Sequence, residues 1–76
     1  MSPTYSRQLE RDMADIFEVM KYKKEIKAED IPLYITIVPP SRVALALKIL
    51  VDRGVIVIRI ENNLLTYVFS ESFKPG

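Results

Sequence analysis

A chain of 76 residues has room for one domain, near the lower limit at which a core forms without staples. With no cysteine and no histidine it lacks disulfides, thiolate nucleophiles, the commonest metal ligand and the usual general base near neutral pH. Its 11 basic and 10 acidic residues leave a net charge of +1, too little for a long-range field that gathers nucleic acid or an anionic membrane, so any such attraction has to be local.

Residues 1–6 are expected to form a flexible arm. From Ser6 to about Tyr22, Leu9, Met13, Ile16, Phe17 and Met20 recur at the spacing of one helical face, and Arg7, Glu10, Arg11, Asp12, Asp15 and Glu18 occupy the rest. The charge-dense "KYKKEIK" that follows is too short for a helix, so Glu25 to Lys27 reads as a short strand or extended connector around Ile26. Ala28, Glu29 and Asp30 then set two acids at the start of a second helix, where they oppose the positive end of its dipole. Pro32 keeps that helix short or moves its start, because proline is tolerated only in the first turn. About two turns are expected, ending before Val38.

Pro39, Pro40 and Ser41 break the chain and restart it as a third helix that runs to Arg53, with Gly54 as its left-handed cap. "VIVIRI", "ENN" and "LLTYVF" read as strand, turn and strand, the Asn pair being able to take positive φ. Residues 70–76 show no periodicity and are expected to fray as a tail, with Phe73 as a candidate anchor. No apolar run approaches the length of a membrane span, and "MSPTYSRQLERD" lacks the layout of a signal peptide. A soluble, cytoplasmic protein with no membrane partner is the expectation.

Over residues 7–69 this order of elements resembles the winged helix-turn-helix family. The densest match is "VPPSRVALALKILVDRGVI". Val38 stands as the apolar residue of the turn, Pro39, Pro40 and Ser41 as the helix start, Val43, Ala46, Leu47 and Leu50 as the inward positions, and Gly54, Val55 and Ile56 as the opening of the wing. Pro32 and the β-branched Ile35, Thr36 and Ile37 depart from the family's Ala/Leu-rich second helix and leave its length open. The resemblance implies an α+β fold, a three-helix bundle with a C-terminal two-stranded hairpin wing. It also implies a DNA-binding protein of transcription-regulator type, with helix 40–53 in the major groove of double-stranded DNA and the wing over the backbone or minor groove.

With Val43, Leu47 and Leu50 inward, the third helix aims Ser41, Leu45, Lys48 and Asp52 outward, with Ala44 and Ile49 at the flanks and Arg42 beside Ile49. Candidate nucleic-acid contacts are Ser41, Arg42 and Lys48 here, Arg59, Asn62 and Asn63 on the wing, and Lys23 and Lys24 in "KYKK". Each has a plainer role beside it, since cations solvate an amphipathic helix and asparagines form turns; Asp52 would repel phosphate, and the wing tip Glu61-Asn62-Asn63 carries no cation.

Against DNA stands surplus hydrophobicity. A hairpin with one wet face should alternate, yet Ile56, Ile58 and Ile60 lie on one face with Val55 and Val57 on the other, and Leu64 and Val68 oppose Leu65, Tyr67 and Phe69. Leu45, Ile49, Val57 and Leu64 are therefore the candidate protein interface, for a homodimer or a hetero-partner, and the alternative function is a protein–protein interaction module that binds no nucleic acid. The carboxylate pairs Asp12/Asp15 and Glu29/Asp30 lack a partner base, a phosphate cradle or a third ligand, so no enzymatic activity, metal or cofactor is expected.

Overall fold

The periodic apolar face of the first segment becomes α1 (Arg7–Lys23), whose Leu9, Met13, Ile16 and Met20 are buried. In the computed structural model, which describes residues 7–70, there follow β1 (Glu25–Lys27), a 3₁₀ turn (Ala28–Asp30) that runs into α2 (Ile31–Tyr34), α3 (Pro40–Asp52), β2 (Ile56–Glu61) and β3 (Leu64–Phe69). The expected arm over residues 1–6 and the suggested anchor Phe73 lie outside the described residues. Over the described residues the fold is thus α+β, with three α-helices and an antiparallel sheet in the order β1-β3-β2.

Each boundary has a local cause. α1 stops at Lys24, whose φ of 75° breaks the helix; its N–H donates to the Met20 carbonyl at 2.7 Å and its own carbonyl accepts from Phe69 N–H at 2.7 Å, which starts the sheet. Pro32 sits within the first turn of α2, and that helix ends at Tyr34, where the β-branched run Ile35-Thr36-Ile37 takes over. Pro40 opens α3 from its first position, and the Pro39 carbonyl accepts from Arg42 and Val43 N–H. At the far end Gly54 takes φ 80°, its N–H donates to Val51 and the Val55 N–H donates back to Leu50, each at 3.0 Å: the paired bonds of a Schellman cap. Val55 and Leu50 are both buried in the core beneath that cap.

Asn62 and Asn63, at φ 53° and 65°, form the two-residue hairpin turn whose twist suits the strands on either side. Register assigns the sheet faces: Ile56 lies opposite Phe69, Ile58 opposite Tyr67 and Ile60 opposite Leu65, with Ile26 of β1 on the other side of Tyr67. Since Ile26 and Ile56 are buried and Tyr67 and Phe69 pack on the core, this is the inner face; Val57, Arg59, Glu61, Leu64, Thr66 and Val68 point outward. Phe17 of α1 meets Phe69 edge to face at 5.5 Å between ring centres, fastening the first helix to the last strand.

Ile49 requires a correction. It was expected at the exposed flank of α3, yet it is only 7% exposed, because α1 packs along that flank and seals it. The hairpin goes the other way: within β2 only Ile56 is buried, and every residue from Val57 to Glu61 is exposed.

The cap at Gly54 can be tested by itself. A Cβ added there would meet nothing within 4 Å, so Gly54→Ala carries backbone strain without a clash. The expected loss is about 1–2 kcal/mol in urea unfolding with an unchanged m-value. An unaffected midpoint would show that residue 54 does not hold the left-handed conformation.

Candidate functional site

On α3 the side chains divide according to what lies beside them. The flank toward α1 holds Ile49, sealed in the core, and Arg42, whose Nε donates to Asp12 Oδ2 at 2.8 Å. Gln8 Nε2 donates to the other oxygen, Asp12 Oδ1, at 3.1 Å. Asp12 is 2% exposed, so a carboxylate read from sequence as part of a solvated face is a buried anion held by two donors. The Arg42 hydrogen bond is the main cause that holds its pKa below the ordinary 3.8, with Gln8 and the guanidinium charge adding to it and burial opposing. Arg42 keeps 45% of its side chain exposed, but its charge is committed within the chain.

The outward face of α3 carries Ser41, Ala44, Leu45, Lys48 and Asp52, all exposed as expected. Lys48 Nζ lies 3.4 Å from Asp52 Oδ2 one turn on, an open pair that contributes little to stability. On the outer face of the sheet, Arg59 reaches across β3 to Glu25 of β1, and its Nε also lies 3.7 Å from Glu61. All three cations proposed as DNA contacts on α3 and the hairpin therefore face a carboxylate of their own chain. Asn62 and Asn63 are occupied as turn formers through their positive φ, at the hairpin tip.

Lys23 and Lys24 lie elsewhere, at the end of β3 opposite the tip, roughly 20 Å away along a six-residue strand. Lys23 stacks over the Tyr34 ring at 4.2 Å and Lys24 over Phe69 at 5.7 Å. Among the described residues no ion pair engages Lys21, Lys23, Lys24 or Lys27. The proposed nucleic-acid contacts thus do not all share one place, since Lys23 and Lys24 lie at the end of the hairpin opposite Asn62 and Asn63.

The apolar candidates are divided too: Leu45 lies on α3, Val57 and Leu64 on the outer face of the sheet, and Ile49 in the core. Leu45, Val57 and Leu64 are each about half exposed, and the sheet adds Ile58 at 41% and Ile60 at 67% on its inner face. Leu33 and Ile37, around the end of α2, are more exposed still, and the sequence reading did not single them out. Their only signal was alternation with buried Ile35 in a segment expected to be helical.

Between α2, α3 and Tyr67 runs an apolar cleft of about 240 Å³, floored by Ile31, Ile35, Val43 and Leu47. A second cleft of about 320 Å³ shares Ala44, Leu47 and Tyr67 with it and extends to Lys48, Val51 and Ile58. Together they form a groove along the hairpin-facing flank of α3. No cluster of three carboxylates capable of holding a cation occurs among the described residues, and no described helix is long and apolar enough to cross a membrane.

The Asp12–Arg42 contact has a measurable pH signature. Because the folded pKa of Asp12 lies below its unfolded value, its contribution to stability is present above the unfolded value and is lost as pH falls through the folded one. Arg42→Ala leaves a buried carboxylate with one donor fewer, so it should destabilise the fold more than Lys48→Ala does and move acid unfolding to higher pH. Circular dichroism across an acid titration of both variants reads this directly; equal midpoints would mean that the pair is not formed in solution.

Compared with known proteins, the chain matches no family model, no curated protein and no solved structure.

Proposed function

We propose that the chain is a winged helix-turn-helix domain that works as a protein–protein interaction module. The order of elements supports the fold: helix, short strand, short helix, proline-initiated helix, glycine cap, then a hairpin that the short strand joins as a third member of the sheet. One observation carries the function. α3 and the hairpin, the elements that a DNA-binding winged helix would present, expose Leu45 on the helix, Ile58 and Ile60 on the inner face of the sheet and Val57 and Leu64 on its outer face, while their cations Arg42, Lys48 and Arg59 are each paired with a carboxylate.

A phosphate backbone rewards unpaired positive charge, and each Lys or Arg that binds it contributes through the counterions it displaces. A cation already facing an aspartate or glutamate brings that acid along, and the acid repels the phosphate. A protein partner rewards what is present instead: apolar area ringed by polar groups, with charges balanced in pairs. The groove beside α3 and the exposed hairpin supply such a surface without rearrangement.

A second reading, binding to double-stranded DNA, is favoured by the lysines at the α1–β1 junction, which have no acidic partner among the described residues. Fluorescence anisotropy with duplex DNA over a salt series separates the two. The interaction reading expects no saturable binding, or binding too weak to follow, from about 50 to 200 mM salt. Saturable binding that falls steeply over this range, and falls further in Lys23→Ala with Lys27→Ala, would instead establish the DNA reading. Arg42→Ala is unsuitable for this purpose because it disturbs Asp12 and hence the fold.

A further inference from the structure

We propose that the free edge of β2 pairs with β2 of a second copy of this chain, in antiparallel register about a two-fold axis at Ile58, to form a continuous six-stranded sheet. This deepens the interaction reading, on which it rests, by naming one partner and one contact.

The backbone carries the argument. In a hairpin closed by a two-residue turn with both φ positive, the flanking residues Glu61 and Leu64 form a hydrogen-bonded pair. Antiparallel ladders alternate, so Arg59 with Thr66 and Val57 with Val68 are the next bonded pairs. The Ser70 N–H donating to the Val55 carbonyl at 2.9 Å continues the same parity. The N–H and C=O groups of Ile56, Ile58 and Ile60 therefore point away from β3. With the strand order β1-β3-β2, those of Ile58 and Ile60 point to an edge that no described strand occupies, whereas Ile56 is buried.

Edge strands of folded domains usually carry a device against such pairing: a proline, a lysine, a bulge or a covering element. β2, "IVIRIE", has no proline or lysine, and its register against β3 runs without interruption. Its one cation, Arg59, is drawn across β3 to Glu25 and so away from the edge. Ile58 and Ile60 remain exposed beside it on the inner face.

Self-complementarity selects the partner and the register. A two-fold axis perpendicular to the sheet keeps inner faces together and sets outward-pointing backbone groups opposite one another. Centred on Ile58, it makes Ile58 and its own copy a bonded pair and sets Val57 beside Arg59, so the exposed Ile58 and Ile60 of each chain meet on one face. Centred on Arg59, it would oppose two arginines at the close spacing of a non-bonded pair, which is repulsive. Centred on Val57, it would set Ile60 opposite Gly54, outside the strand. A net charge of +1 per chain offers little resistance to association.

The absence of cysteine makes the register testable. Ile58→Cys places two sulfurs at a bonded pair whose Cα atoms lie about 5.5 Å apart, within disulfide range. In Ile60→Cys the two positions are four residues out of register, about 13 Å along the strand. Sedimentation equilibrium of the wild-type chain across the micromolar range should show dimers. Ile58→Pro removes only an outward N–H and Ile60→Lys adds a charge at an exposed site, so each should weaken association at least tenfold with an unchanged circular dichroism spectrum. Under mild oxidation Ile58→Cys should cross-link much faster than Ile60→Cys.

A wild-type chain that stays monomeric overturns the proposal. So does a dimer that resists both edge variants, for example one dissolved only by Leu45→Glu, or cross-linking at equal rates. None of these results touches the interaction reading itself, which stands or falls on the DNA titration.

Discussion

The roll of α3 about its own axis decides what this protein offers to its surroundings, and α1 sets that roll. Ile49 buried against α1, together with Arg42 hydrogen-bonded to Asp12, pins one flank of α3 at two points nearly two turns apart. The first contact is non-directional and tolerates rotation by a few degrees; the second is directional and does not. With that flank fixed, Leu45 and Lys48 face outward, and Ala44, Leu47 and Val51 turn toward the hairpin to line the groove. A buried carboxylate is a costly way to fix an orientation, since desolvation opposes its charge, but here both oxygens have donors, so the buried anion is satisfied rather than stranded.

The hairpin is governed by a different mismatch, one of length. The helices cover the sheet around Ile26, Ile56, Tyr67 and Phe69, while β2 and β3 run on to a tight turn at Asn62-Asn63. Beyond the helices both faces of the hairpin meet solvent, yet the inner face keeps the apolar alternation that it has over the core. Ile58, Ile60 and Leu65 continue the row that Ile56 begins. The exposed hydrophobics thus fall partly on the hairpin, at Val57, Ile58, Ile60 and Leu64, and partly around the end of α2, at Leu33, Tyr34 and Ile37, with Leu45 on α3 and Tyr22 on α1.

Most of the fold was legible because it rests on local rules. The helical period of α1, the proline start of α3, the glycine stop and the Asn-Asn turn each depend on a few adjacent residues, and the structure places them within a residue or so of expectation. What escaped was set by contacts distant in sequence. Asp12 and Arg42 are separated by 30 positions, and their meeting follows from the packing of α1 on α3. A hint was present, since Asp12 lies only about 40° around the helix from the core residue Ile16, nearer the apolar face than a solvated acid should be. Ile49 was misplaced for the same reason: a wheel drawn for α3 alone cannot know that a neighbour covers one of its flanks. The pairing of Arg59 with Glu25 likewise needed β1 to join the sheet beside β3.

Charge pairing and apolar exposure belong to one physical pattern. A surface whose cations and anions neutralise one another over a few ångströms has little field at a distance, so it neither draws a polyanion nor repels a like-charged protein. Encounter with a partner is then unsteered, and affinity has to come from the area and fit of the contact after it forms, expressed as slow dissociation rather than fast association. An open strand edge suits that regime. Its backbone donors and acceptors are rigidly arrayed, so ordering them on contact costs little entropy, and each pair formed brings adjacent isoleucines out of water. Specificity then follows from registry, because a slip of one residue exchanges inner for outer side chains and a slip of two either opposes two arginines or sets Ile60 past the end of the strand. The proposed interaction reading and the proposed β2 contact therefore rest on one feature, cations engaged within the chain beside an exposed apolar strand.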